Sequence, residues 1–149
     1  MCDLTLGRLA SAPVEIVVAG PGDDAAVIAA QHLFDGPARA DQTRRFLREP
    51  GHHLLLAYED GEAVGFVSGV EIVHPDKAPE MMLYEIAVDE ASRRRGFGRA
   101  LVDALAARAR ERGCEAVFVF ADGDDEDAQA FYEALKPART EPCVMFTWE

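Results

Sequence analysis

Residues 84–89 read Tyr84-Glu85-Ile86-Ala87-Val88-Asp89, and residues 93–99 read Arg93-Arg94-Arg95-Gly96-Phe97-Gly98-Arg99. The first stretch closes an apolar run, Met81 to Val88, that reads as a β-strand. The second is a basic, glycine-bearing turn. After it, from Gly98 to Arg112, Leu101, Leu105 and Ala109 recur at helical spacing until Gly113 closes the helix. The first amides of such a helix have no internal partner, and its dipole adds roughly half a positive charge at that end. Gly96 and Gly98 let the backbone come close to a ligand, and the arginines add charge. A pyrophosphate site is built this way. Seven of the fifteen Lys and Arg residues lie between Arg93 and Arg112, so a chain of net charge −12 gathers its positive charge here. The pattern is neither the Gly-x-Gly-x-x-Gly dinucleotide fingerprint nor a Gly-Lys-Ser/Thr phosphate loop. Alone, it also describes a solvated, arginine-rich helix start.

Working outward, Val14 to Ala19 reads as a first strand. Pro21-Gly22-Asp23 turns and caps a helix from Asp24 to Phe34, which Asp35-Gly36-Pro37 breaks. A second short helix runs from Asp41 to Arg48 and ends at Pro50-Gly51. His53 to Tyr58 and Ala63 to Val73 are apolar runs joined by Glu59-Asp60-Gly61-Glu62, a hairpin signal. Beyond the central helix, Ala116 to Ala121 is nearly all apolar, as expected of a strand covered on both faces. The acidic stretch Asp122 to Asp127 leads into a helix from about Asp125 to Leu135. Pro137 and Pro142 then break the chain, and Val144 to Trp148 reads as a last strand. The order β-α-α-β-β-β-α-β-α-β is a mixed α/β fold: a central, mostly antiparallel sheet flanked by helices, with one β-α-β crossover. No internal repeat or long linker divides residues 1–149, which read as a single domain.

A composition of 49% hydrophobic and 28% charged residues is that of an ordinary globular domain. No apolar run approaches the roughly 20 residues that span a bilayer, and Met1-Cys2-Asp3 does not begin an export signal. The expectation is a soluble, cytoplasmic protein with no membrane partner. Its acidity argues against nucleic acid and favours cationic partners. Cys2, Cys114 and Cys143 are scattered without metal spacing and read as reduced thiols. Adjacent His52 and His53 point to opposite faces of a strand, while His32 and His74 stand alone. All four read as structural, and no metal is expected.

The Arg93-x-x-Gly96-x-Gly98 turn resembles motif A of the GNAT acetyltransferase superfamily, Gln/Arg-x-x-Gly-x-Gly/Ala. Ala128-Gln129-Ala130-Phe131-Tyr132-Glu133-Ala134-Leu135 resembles its motif B. The resemblance implies acetyl-CoA as cosubstrate. The turn, Arg93, Arg94, Arg95, Gly96, Phe97, Gly98 and Arg99, would hold the pyrophosphate, and the strand end Ile86-Ala87-Val88 would pair with the pantetheine arm. It implies that Tyr132 protonates the departing thiolate, and it implies a homodimer. From about Val14 to Trp148 the chain is most similar to the aminoglycoside 3-N-acetyltransferase group within the superfamily. That likeness rests on Leu33-Phe34-Asp35, the hairpin from Leu54 to Val70, the Tyr84 to Val88 strand and Ala121-Asp122-Gly123-Asp124-Asp125. Many superfamily members carry Asn seven residues before the motif B tyrosine, where this chain has Asp125.

Amine acylation needs a neutral amine, an electrophilic thioester and a proton for the leaving thiolate. Glu85, beside the strand that would hold the cofactor, is the candidate base, acting through water or with a raised pKa. A backbone N–H near Val88 would stabilise the oxyanion. Strand alternation alone also allows Glu85 to be an ordinary outward side chain. Tyr132 could equally be a partly buried tyrosine with its hydroxyl in water. Asp122, Asp124, Asp125, Glu126 and Asp127 form either a solvated helix cap or a clamp for a substrate bearing several ammonium groups. In the clamp reading Asp122, Asp124 and Asp125 bind the substrate. The leading reading is therefore acetylation of a polycationic amine, with an aminoglycoside as the best guess. A polyamine, other small amine or protein amine is the alternative, and a non-catalytic acyl-CoA-binding domain stands as a third reading.

Overall fold

The computed structural model describes residues 14–149; Cys2 and the rest of residues 1–13 lie outside it. Five strands form one sheet in sequence order: β1 (Glu15–Ala19), β2 (His52–Glu59), β3 (Glu62–Ile72), β4 (Glu80–Val88) and β5 (Ala116–Val119). The first three pairings are antiparallel and β4–β5 is parallel. The helices are α1 (Asp24–Ala29), α2 (Ala40–Arg48), α3 (Phe97–Glu111) and α4 (Glu126–Ala134). This is the mixed α/β architecture expected from the sequence.

Alternation along β2 builds a core on each face. Leu55 and Ala57 join Val67, Met81 and Leu83 under Leu101, Leu105 and Ala109 of α3. Leu54 and Leu56 join Phe66 under Val27, Ala30, Leu33 and Leu47 of the α1–α2 layer. The same alternation sends His53 to the α3 side, where it is buried against Glu71 and Arg108, and His52 to the other, against the ring of Phe46. Helix α3 lies close on the sheet because glycine leaves room. A Cβ at Gly69 would come within 2.8 Å of Leu105 Cδ1 and of Met81 Sδ.

Three expectations are corrected. The helix from Asp24 to Phe34 is α1 followed by a separate 3₁₀ turn, Gln31–Leu33. The strand from Ala116 to Ala121 stops at Val119, where its pairing with Leu83 ends. Val144 to Trp148 is not a strand. The apolar pattern supplies β-propensity, but among the described residues no strand pairs with this stretch, and the outer edge of β5 stays open. Val144, Met145, Phe146 and Trp148 are all more than 70% exposed.

Candidate active site

A β-bulge decides where the chemistry sits. Ser68 of β3 pairs with Glu85 and Gly69 with Leu83, so Tyr84 is the extra residue in β4. Before the bulge, Met81 and Leu83 face the α3 core; after it, Ile86 and Val88 do. Strict alternation would carry Glu85 under α3 with Met81 and Leu83. The extra residue reverses the phase, and Glu85 opens instead into a pocket on the other face, with its own amide donating to the buried Ser68 Oγ at 3.2 Å.

The bulge also parts the sheet. Parallel pairing of β4 with β5 covers only Glu80 to Leu83, whereas Ile86, Ala87 and Val88 remain paired to β3. Among the described residues, the β5-facing backbone edge of Ile86–Val88 therefore has no strand beside it, and the two strands open into a cleft. A volume of about 320 Å³ lies there, bounded by Leu33, Asp35, Phe66, Tyr84, Glu85, Phe120, Asp122, Asp125 and Tyr132, among others. Glu85 and Tyr132, expected to be the base and the acid, line the same cavity.

Electrostatics distinguish these two groups from ordinary surface residues. Burial against the pocket walls, and then the nearby Asp35 carboxylate, raise the Glu85 carboxyl above its usual range. Burial, and then Asp125, push the Tyr132 phenol up as well. Tyr132 is held by packing on the edge of the α3 core and by the Phe131 ring, 5.1 Å away centre to centre. A raised carboxyl is a better proton acceptor near neutrality, and a raised phenol keeps its proton there.

Of the expected substrate carboxylates, Asp122 and Asp125 line the cavity, while Asp124 lies with Glu126 and Asp127 on the outer acidic face. Asp125 also caps α4, its Oδ1 accepting from Ala128 N at 2.9 Å. Cap and pocket wall are thus one residue. Asp35 was not among the expected site residues, although it lines the cavity opposite them. Its place follows from the break after the 3₁₀ turn, and only the Leu33-Phe34-Asp35 likeness hinted at it.

At the head of α3, Gly96 has φ +88° with open space around it, so left-handed backbone is what requires glycine there. Gly98 also has a packing role: a Cβ on it would meet the Phe131 ring at 3.0 Å, so its lack of a side chain seats α4 against α3. The arginines divide. Arg93 Nε donates to Val88 O at 3.1 Å, and Arg95 is paired with Glu59. Arg99 lies along its own helix, 4.0 Å from Asp103. Arg94, at φ +61°, makes no side-chain contact of this kind among the described residues.

The sequence matches the acetyltransferase (GNAT) family over residues 26–136. The chain belongs to the GNAT acetyltransferase family. Among curated proteins it is similar to L-2,4-diaminobutyric acid acetyltransferase of Streptomyces coelicolor, 36% identical over 90 residues, 58% of this chain and 52% of that protein. It is also similar to mycothiol acetyltransferase of Amycolatopsis mediterranei, 30% identical over 146 residues, 87% of this chain and 47% of that protein. The chain spans about half the length, or less, of these relatives. Among solved structures, an aminoglycoside acetyltransferase from an uncultured soil metagenomic sample superposes with a TM-score of 0.81. It is 27% identical and covers 91% of this chain and 98% of that one.

GNAT acetyltransferases use acetyl-CoA. The GNAT cleft of this chain suits that molecule: an unpaired strand edge at Ile86–Val88 for an amide-bearing arm, and at its end the amides of α3 with uncommitted Arg94 for a pyrophosphate. Among the described residues no group of three or more His, Cys, Asp or Glu could hold a metal, and no helix is long and apolar enough to cross a membrane.

Proposed function

We propose that this chain is an acetyl-CoA-dependent N-acetyltransferase whose acceptor is a small amine carrying several positive charges, an aminoglycoside above all, with the 3-amino group as the position acetylated. One observation carries the choice of acceptor. Among the described residues, the cavity is walled by four carboxylates, Asp35, Glu85, Asp122 and Asp125, and by no Lys, Arg or His. The carboxylate of an acceptor such as a diamino acid would be repelled there, whereas an aminoglycoside or polyamine is matched at several points without that opposing charge. The aromatic walls Phe66, Tyr84 and Phe120 suit the apolar faces of sugar rings. The likeness to the metagenomic aminoglycoside acetyltransferase supports the same reading.

When bound, acetyl-CoA supplies an electrophilic thioester. Glu85 would take a proton from the bound ammonium, directly or through one water and helped by its raised pKa, freeing the neutral amine that attacks. An amide of the β4 edge near Val88 donates to the oxygen that becomes an oxyanion. Tyr132 would give its proton to the sulfur as the C–S bond breaks and recover one from the acylated nitrogen, which loses its second proton on becoming an amide. Asp122 and Asp125 hold ammonium groups that do not react.

The test is Asp122→Asn together with Asp125→Asn. Asn caps a helix as well as Asp, so α4 stays formed while two charges leave. The KM for an aminoglycoside should rise by 10-fold or more at low salt and kcat should change little, because this binding is shared by ground and transition states. An unchanged KM at low salt would remove the ammonium-binding role.

A further inference from the structure

The turn from Arg93 to Gly96 holds backbone that does not favour itself. Arg94 sits at φ +61° and Gly96 at φ +88°, left-handed residues on either side of Arg95. A non-glycine residue is disfavoured in that region, so contacts outside the turn must hold Arg94 there. Two side-chain ties do so. Arg93 reaches back to Val88 O, and Arg95 reaches across to Glu59, 36 residues earlier, at the end of β2. The second tie is a two-pronged one. Arg95 Nη1 donates to Glu59 Oε1 at 2.9 Å and Nη2 to Oε2, with the guanidinium carbon 5.4 Å from the centre of the Phe97 ring. Phe97 is itself buried in the α3 core, so the guanidinium is braced between the β2–β3 hairpin and the first residue of α3.

The structure assigns Glu59 as a positioning residue for acetyl-CoA binding, acting through Arg95 to hold the pyrophosphate turn open; this rests on reading the 93–99 turn as the phosphate site. Arg95, although one of four arginines in the turn, has its fork occupied by Glu59 and is a strut more than a phosphate ligand. Arg94, with no such tie among the described residues, and the exposed Arg99 are left for the phosphates.

Charge and geometry make opposite forecasts for Glu59, which makes the inference sharp. A carboxylate beside an anion site repels the anion, so if Glu59 were only a surface charge its removal would tighten acetyl-CoA binding. If Glu59 positions the turn, its removal weakens binding.

The experiment measures Kd for acetyl-CoA by calorimetry, and kcat and both KM values by CoA release. Glu59→Ala should raise Kd and KM for acetyl-CoA about 5- to 20-fold, leaving kcat at saturation and the KM for the amine within about 2-fold. Arg95→Ala should do the same, and the double variant should be no worse than either single one, because both remove one strut. Glu59→Asp should recover part of the loss. Tighter or unchanged acetyl-CoA binding in Glu59→Ala overturns the inference, as do additive losses in the double variant. Gly96→Asp tests the underlying reading separately. It should abolish measurable acetyl-CoA binding, and unchanged affinity there would move the phosphate site elsewhere whatever Glu59 does.

Discussion

Replacing Tyr132 by Phe separates chemistry from folding unusually well in this fold. The ring is what packs: it lies on the edge of the α3 core and against Phe131, and Phe keeps both contacts. The hydroxyl opens to the cavity, and among the described residues no buried side-chain polar atom is left without a partner, so its loss orphans nothing inside. Surface-type changes of this kind stay within about 0.5 kcal/mol of the parent, which for a domain of this size is a shift of roughly 1–2 °C in Tm. Loss of a positioned general acid, by contrast, costs about 10²–10⁴ in rate, or roughly 3–5 kcal/mol at 1.36 kcal/mol per decade. Steady-state CoA release should therefore show kcat lower by that factor, with the Kd for acetyl-CoA within about 2-fold and the melting curve nearly superimposable. A variant that turns over at the parental rate would refute the role of Tyr132. A variant that melts far lower would refute the packing account of the ring.

Asp35→Asn should lower the Glu85 pKa, because the Asp35 charge opposes ionisation of Glu85; the acidic limb of kcat/KM should move to lower pH, and an unmoved limb would uncouple the two groups. Gly69→Ala forces a methyl into Leu105 and Met81, both fully buried, and should destabilise by about 1–3 kcal/mol, with Leu105→Val restoring part of the Tm and no rescue arguing against a clash. His53 is buried beside Glu71, Arg108 and Arg112, and burial pulls its pKa below the ordinary value. The unfolded chain then takes up the proton first, so stability is lost as pH falls below about 6.5; thermal melts from pH 7.5 to 5 should show the loss, flattened in His53→Gln.

Much of this was legible in the residues because periodicity carries it. The alternation of β2 and the helical spacing of Leu101, Leu105 and Ala109 fix two cores and the crossover. The turn at Arg93–Arg99 announces itself by charge and glycine. The position of Glu85 was not legible, since a one-residue bulge at Tyr84 reverses the phase of the strand and no local pattern marks it. Asp35 was missed for a related reason: it enters the cavity from a distant loop through tertiary packing alone. The roles of single residues in the turn were equally hidden, because the partner of Arg95 lies on β2 and the partner of Gly98 is a ring on α4. The tail from Val144 to Trp148 has the apolar composition of a strand, but composition alone does not dock a segment on a sheet, and this one stays exposed although the sheet ends at β5.

The central claim is that acetyl passes from acetyl-CoA to a polycationic amine in the cavity between Glu85 and Tyr132. CoA release at low salt and pH 7.5, with one aminoglycoside, one polyamine, one diamino acid and one neutral amine as acceptors, tests it most directly. Turnover with the aminoglycoside should exceed that with the diamino acid and the neutral amine by at least 10-fold in kcat/KM. The advantage should shrink with added salt as the carboxylates are screened. Equal or better turnover with the diamino acid, or no turnover with either polycation, would contradict the account.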